Sequence, residues 1–130
     1  MAYEGQQIGI PGLTASADLS AKQFYFVKMS GEKTVTVCAA ATDKPIGVLQ
    51  NAPTSGQAAN VCVVGVSKVS GDADLNFGDL IGTSADGQAD AKTPGTDTTE
   101  YTVGSVVNGN AAAGGLVTAV INCAAPARAA

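Results

Sequence analysis

The sequence predicts an all-β fold, a small β-barrel or sandwich of about seven or eight short strands with an extended N-terminal arm. Three observations carry that expectation. Short runs rich in Val, Ile, Thr, Tyr and Phe are separated by clusters of Gly, Pro, Asn, Asp and Ser, the punctuation of strands and turns. No window shows capped helical periodicity, and residues 13–23 and 111–113 could each hold no more than a single helical turn. The length of 130 residues fits one domain.

Taken in order, residues 1–20 hold Gly5, Gly9, Gly12 and Pro11 with too few apolar side chains for a core, so they read as the extended arm. The first strand signal is Phe24-Tyr25-Phe26-Val27-Lys28-Met29. A turn at Ser30-Gly31-Glu32 leads into Lys33-Thr34-Val35-Thr36-Val37-Cys38, whose alternation sets both valines on one face and both threonines on the other. Together these form a β-hairpin. Ile46-Gly47-Val48-Leu49-Gln50 follows, then the turn cluster Pro53-Thr54-Ser55-Gly56. The longest run, residues 60–69, is apolar on both faces and is expected at the centre of a sheet. Asp79-Leu80-Ile81-Gly82-Thr83 reads as a short strand, and residues 84–98 as a loop around Pro94-Gly95. Residues 101–107 and 116–121 make a second hairpin-like pair. Residues 21–123 thus form a single β domain, and residues 124–130 a flexible C-terminal tail with nothing to pack.

Composition narrows the function. Hydrophobic residues are 45% and charged residues only 14%, so most of the surface must be neutral and polar. Val, Ile, Leu and Phe number 28, just above the level of about 20% below which chains tend to be disordered. Such a core is lean, and a monomer would be marginal. Self-association through strand faces carrying residues such as Val64 and Val66 would supply the missing burial. The chain has no His, which removes Ser-His-Asp and Cys-His catalysis and every imidazole metal site, and no enzyme activity is expected. Seven Lys and Arg against eleven Asp and Glu give a net charge of −4 without any basic run, so no direct nucleic-acid partner is expected. Met1-Ala2-Tyr3-Glu4 does not open a basic-then-apolar leader, and no run approaches the length of a membrane span. Synthesis in the cytoplasm without membrane association is the expectation.

Each site-like feature has a plainer reading. Cys38, Cys62 and Cys123 are odd in number and lack C-x-x-C spacing, so they are expected to be buried thiols and not zinc ligands. Asp72-Ala73-Asp74-Leu75-Asn76 begins like a calcium loop, but Phe77 replaces the required Gly and Thr83 the bidentate Glu. A solvated turn fits better. Asp72, Asp74 and Asp79 lack the aromatic residues of a sugar site, and Gly104, Gly114 and Gly115 lack the Lys and Ser/Thr of a phosphate loop. Phe24, Tyr25 and Phe26 read as core and not as a stacking platform for single strands. No cofactor is implied. What remains is a domain suited to packing on, or pairing with, a larger surface through its arm.

The run Lys44-Pro45-Ile46-Gly47-Val48-Leu49-Gln50-Asn51-Ala52-Pro53, continuing through residues 56–61 and 65–69 to Gly78-Asp79, Gly87-Gln88-Ala89 and Val103-Gly104, resembles the capsid decoration or cement proteins of tailed bacteriophages. The opening Asp18-Leu19-Ser20-Ala21-Lys22-Gln23-Phe24-Tyr25-Phe26-Val27 is similar too, so the resemblance spans residues 18–121. It implies a β-barrel or β-tulip domain, comparable in role to the lambda head decoration protein. Such a domain binds the outside of the phage head and clamps major capsid protein subunits, commonly as a homotrimer. The resemblance further implies an arm that contacts the shell, with Ile8, Ile10, Pro11 and Leu13 as its anchors. The expected location is the outer capsid surface of a virion, after synthesis in the bacterial cytoplasm. Cementing needs no nucleophile, and many modest contacts on a symmetric shell add up. Two rival classes stay open: another virion part such as a tail tube, spike or head-fibre base, and a small-ligand-binding β-barrel.

Overall fold

A computed structural model describes residues 2–110 and 112–130. Met1, the first residue of the expected arm, and Ala111, the start of the helical turn considered at 111–113, lie outside the described residues. The fold is all-β, with twelve strands among the described residues. They are β1 (Gln7–Gly9), β2 (Thr14–Ala15), β3 (Phe26–Gly31), β4 (Thr34–Val37), β5 (Gly47–Leu49), β6 (Val61–Ser70), β7 (Leu80–Thr83), β8 (Ala89–Ala91), β9 (Tyr101–Thr102), β10 (Gly104–Asn108), β11 (Leu116–Asn122) and β12 (Ala127–Arg128).

Ten of them form one sheet along the path β2-β4-β3-β5-β6-β11-β10-β7-β8, with β1 added beside β6; β9 and β12 pair separately. The hairpin expected from the Val/Thr alternation is β3–β4, in the register Val27↔Val37 and Met29↔Val35. Its turn is at Glu32 and Lys33, one residue later than expected, and Lys33 takes a positive φ of 58°. The second hairpin is β10–β11. The doubly apolar run became β6, ten residues long and the hub of the sheet. Cys62 pairs with both Val48 and Gly9, and Gly65 with both Ile121 and Gln7, so β5 and β11 share one edge of β6 while β1 covers the other.

The core lies on both sides of β3. Phe26 joins Val48, Val69, Ile81, Val106, Val117 and Ile121 in one buried cluster. Its neighbour Val27 points the other way, into a second cluster with Leu13, Leu19, Val35, Leu49 and Val61. Fully burying side chains of this size stabilises by about 1.5–3 kcal/mol each. Ile10 packs against both clusters.

Three expectations need correction. The path ends at β2 and β8, which do not pair with each other, so the sheet is not a closed barrel. The strand count exceeds seven or eight because β1, β2, β8, β9 and β12 are two or three residues long, too short for a periodic pattern. The C-terminal residues, expected to be loose, are paired: Ala127 faces Thr102, Arg128 faces Tyr101, and Ala129 is buried. Backbone pairing holds residues 127 and 128, whose side chains stay exposed, helped by the Arg128 guanidinium 5.4 Å from the Tyr101 ring centre. The N-terminal segment likewise contributes Leu13, Ala15 and Leu19 to the second cluster.

Candidate interaction surface

Pleating decides which side chains of the sheet face outward. In β6, Val63, Ser67 and Val69 are buried, and the intervening Val64, Val66 and Lys68 are half-buried. In β11, Val117, Ala119 and Ile121 are buried while Val120 is 47% exposed. The registers Leu80↔Ser105, Ser105↔Val120 and Val120↔Val66 then place these four residues in one row across β7, β10, β11 and β6. A parallel row runs Asn122, Val64, Ile8 onto β1. Leu80 is 40% exposed and Ile8 66%. Val107, at the bulge between Val106 and Asn108, adds another exposed apolar side chain. The result is an outward apolar face across five strands.

The arm leaves the edge of β6 and crosses this face to reach β11. The Gly5 amide donates to the Val66 carbonyl at 3.0 Å, and the Val66 amide donates to the Gln6 carbonyl at 3.1 Å. Farther back, the Tyr3 amide donates to Thr118 Oγ1 at 2.7 Å and that hydroxyl donates to the Tyr3 carbonyl. This covers Thr118 completely while leaving the Tyr3 side chain half exposed. Gly65 is what lets the arm approach: a Cβ there would sit 2.2 Å from the Gln6 carbonyl oxygen, and its φ of +144° is one that L residues rarely adopt.

The residues suggested by the sequence therefore divide. Ile8, Val64 and Val66 come together in these two rows, with Val64 half-buried and packed against the first core cluster. Leu13 is buried and Ile10 turns inward between the two clusters. Pro11 is exposed and lines a groove with Gln7, Gln50 and Asn60. Sequence reasoning missed Tyr3, Leu80, Val107 and Val120. The alternation in residues 116–121 signals a strand, but with apolar residues of both parities it does not say which set faces out.

Charge is sparse on the face. Glu4 and Lys68 approach to 3.9 Å, and the Lys68 ammonium sits 5.7 Å from the Phe24 ring centre. The ionisable clusters lie elsewhere. Asp43 accepts from Lys28 Nζ at 2.9 Å and from the Ala39 and Ala40 amides. Burial pushes its carboxyl up, but these donors outweigh it and hold the group below its ordinary value. Asp72 is raised, first by burial and then by Asp86 and Asp90. Asp79 accepts the Asn76 amide at 2.9 Å, closing the turn after the acidic run. The three cysteines are free and buried, as expected; burial pushes Cys38 and Cys123 up to about 12 and Cys62 up to about 11. Among the described residues no three His, Cys, Asp or Glu side chains form a group that could hold a metal ion. The chemistry available on the outward face is adhesion, through apolar burial and backbone pairing.

No protein-family model matches the chain, and no curated protein matches it. Among solved structures, the chain is similar to the N base of the gp8.5 head fibre of bacteriophage phi29, with a TM-score of 0.65 and 21% identity. The likeness covers 91% of this chain and 96% of that one, so it embraces the whole all-β architecture and not one hairpin.

Proposed function

We propose that this protein is a structural component of a tailed-phage head, the base by which a head-surface appendage is seated on the shell. The observation that carries the reading is the fold likeness to a head-fibre base over nearly the full length of both chains. The outward apolar face supports it. A base must adhere to a large protein surface, and Leu80, Val120, Val107 and Ile8 offer exposed apolar area with little charge to desolvate.

The cement role implied by the resemblance of residues 18–121 is the second reading, favoured by the ordered run from Lys44 to Val69. Both readings have the major capsid protein as partner and the virion exterior as location. Both are compatible with a homotrimer, which equilibrium sedimentation of the purified chain tests as a mass three times 12.8 kDa. Electron microscopy of particles carrying a gold-labelled antibody to the chain tests the reading itself. Label over the head is expected. Discrete fibre bases favour the first reading and uniform coverage the second, while label on the tail overturns both.

A further inference from the structure

We infer that residues 2–10 are an exchangeable strap: the edge of β6 that they cover accepts the same segment from a second copy of this chain. The inference does not depend on the virion reading. The strap's attachments to the body are mainly backbone hydrogen bonds, Gly5 to Val66 and Val66 to Gln6, together with the Tyr3–Thr118 contact and the long Glu4–Lys68 pair. Side-chain burial adds little before Ile10, since Ile8 is 66% exposed and Gly5 and Gly9 have no side chain to bury. Within the strap, Ile10 is the one apolar side chain packed against the core clusters, and the fully buried anchor comes at Leu13, 4% exposed in the second cluster.

A swivel lies between strap and anchor. The pairing of β1 with β6 is already irregular between Ile8 and Gly9, and Pro11-Gly12 forms a turn with Gly12 at φ +81° and open space around its Cα. Such a hinge lets the strap leave without disturbing Leu13. What it leaves behind is an unpaired edge on the longest strand, with Gly65 shaped for close backbone approach. The occupant that fits this edge is the segment that already fits it. Exchange between copies makes no new type of contact, so at high local concentration, as on a symmetric shell, it links neighbours at little cost.

The test uses the full chain and the register Ile8↔Val64. The natural thiols are buried and their thiolates disfavoured, so cysteines introduced at the exposed Ile8 and the half-buried Val64 react ahead of them. Ile8→Cys and Val64→Cys chains are purified separately, mixed at high concentration and oxidised, and the double variant is oxidised alone at low concentration as the positive control. The expected result is a disulfide-linked heterodimer of twice the chain mass from the mixture, absent when either single variant is oxidised alone. An intrachain bond in the double variant with no heterodimer from the mixture overturns the inference. So does failure of both bonds, because the strap would then not lie along β6 in this register.

Discussion

Removing the buried charge of Lys92 should destabilise the fold measurably. Its side chain is 1% exposed, its Nζ donates to the Thr83 carbonyl at 2.8 Å, and it pairs with Glu100 and, at 3.5 Å, with Asp90. One ammonium thus ties the end of β7 to β8 and to the residue just before β9. Gly82 makes the room: a Cβ there would lie 3.0 Å from the Lys92 stem and 2.0 Å from the Tyr101 carbonyl oxygen. Lys92→Met keeps the stem and deletes the charge. Breaking a buried ion pair costs about 3–5 kcal/mol. Glu100 and Asp90 keep 20% and 44% side-chain exposure and can recover hydration, which lowers the expected loss to about 2–3 kcal/mol. Unfolding entropy of about 2.1 cal/mol/K per residue turns this into a fall in Tm of about 7–11 °C. Calorimetry of both proteins measures it. A drop below about 3 °C would refute the reasoning, since it would leave the ammonium less than about 1 kcal/mol of net stabilisation. Adding Glu100→Gln should cost less than its separate effect, because its charge then has no partner to lose.

Two further outcomes follow from the same structure. Asp43 has its carboxyl held below its ordinary value of 3.8, so it contributes stability above that pH that is lost as pH falls through the folded-state value. Asp43→Asn should therefore lower the urea midpoint at neutral pH and narrow the gap between the midpoints at about pH 7 and about pH 3, whereas an unchanged gap would contradict the assignment. Native protein should show no labelling of Cys38, Cys62 or Cys123 by a thiol reagent at about pH 8 and full labelling in denaturant; rapid native labelling of any of them would show its burial to be wrong.

Where the fold was legible in the sequence, the physics was local. Val35 and Val37 alternating with threonines wrote out β4, and a run apolar on both faces wrote out β6 as the central strand. Boundaries slipped where backbone conformation overrode apolarity: Phe24 looks like strand but takes a φ of 68°, stabilised by its amide to the Leu49 carbonyl and its carbonyl to the Ser70 amide. The short strands were invisible because long-range partners make them. Residues 127–128 are a strand only because residues 101–102 are beside them. The same holds for the surface. Val64 and Val66 follow from strand apolarity and Ile8 from the arm that the resemblance implies, but the row Leu80, Ser105, Val120, Val66 exists only once the registers of four strands are known. A lysine buried inside what reads as a polar loop has no sequence signal, since its partner carboxylates lie two residues before it and eight after.

Co-sedimentation with heads lacking the protein tests most directly the proposal that the outward face seats the domain on a phage head. Val120→Asp puts a charge at the centre of the face, on a side chain already 47% exposed, so the fold should survive with Tm little changed. The unaltered chain should pellet with the heads, and Val120→Asp should stay in the supernatant while remaining folded by circular dichroism. Equal pelleting of both chains, or no pelleting of the unaltered one, would contradict the proposal.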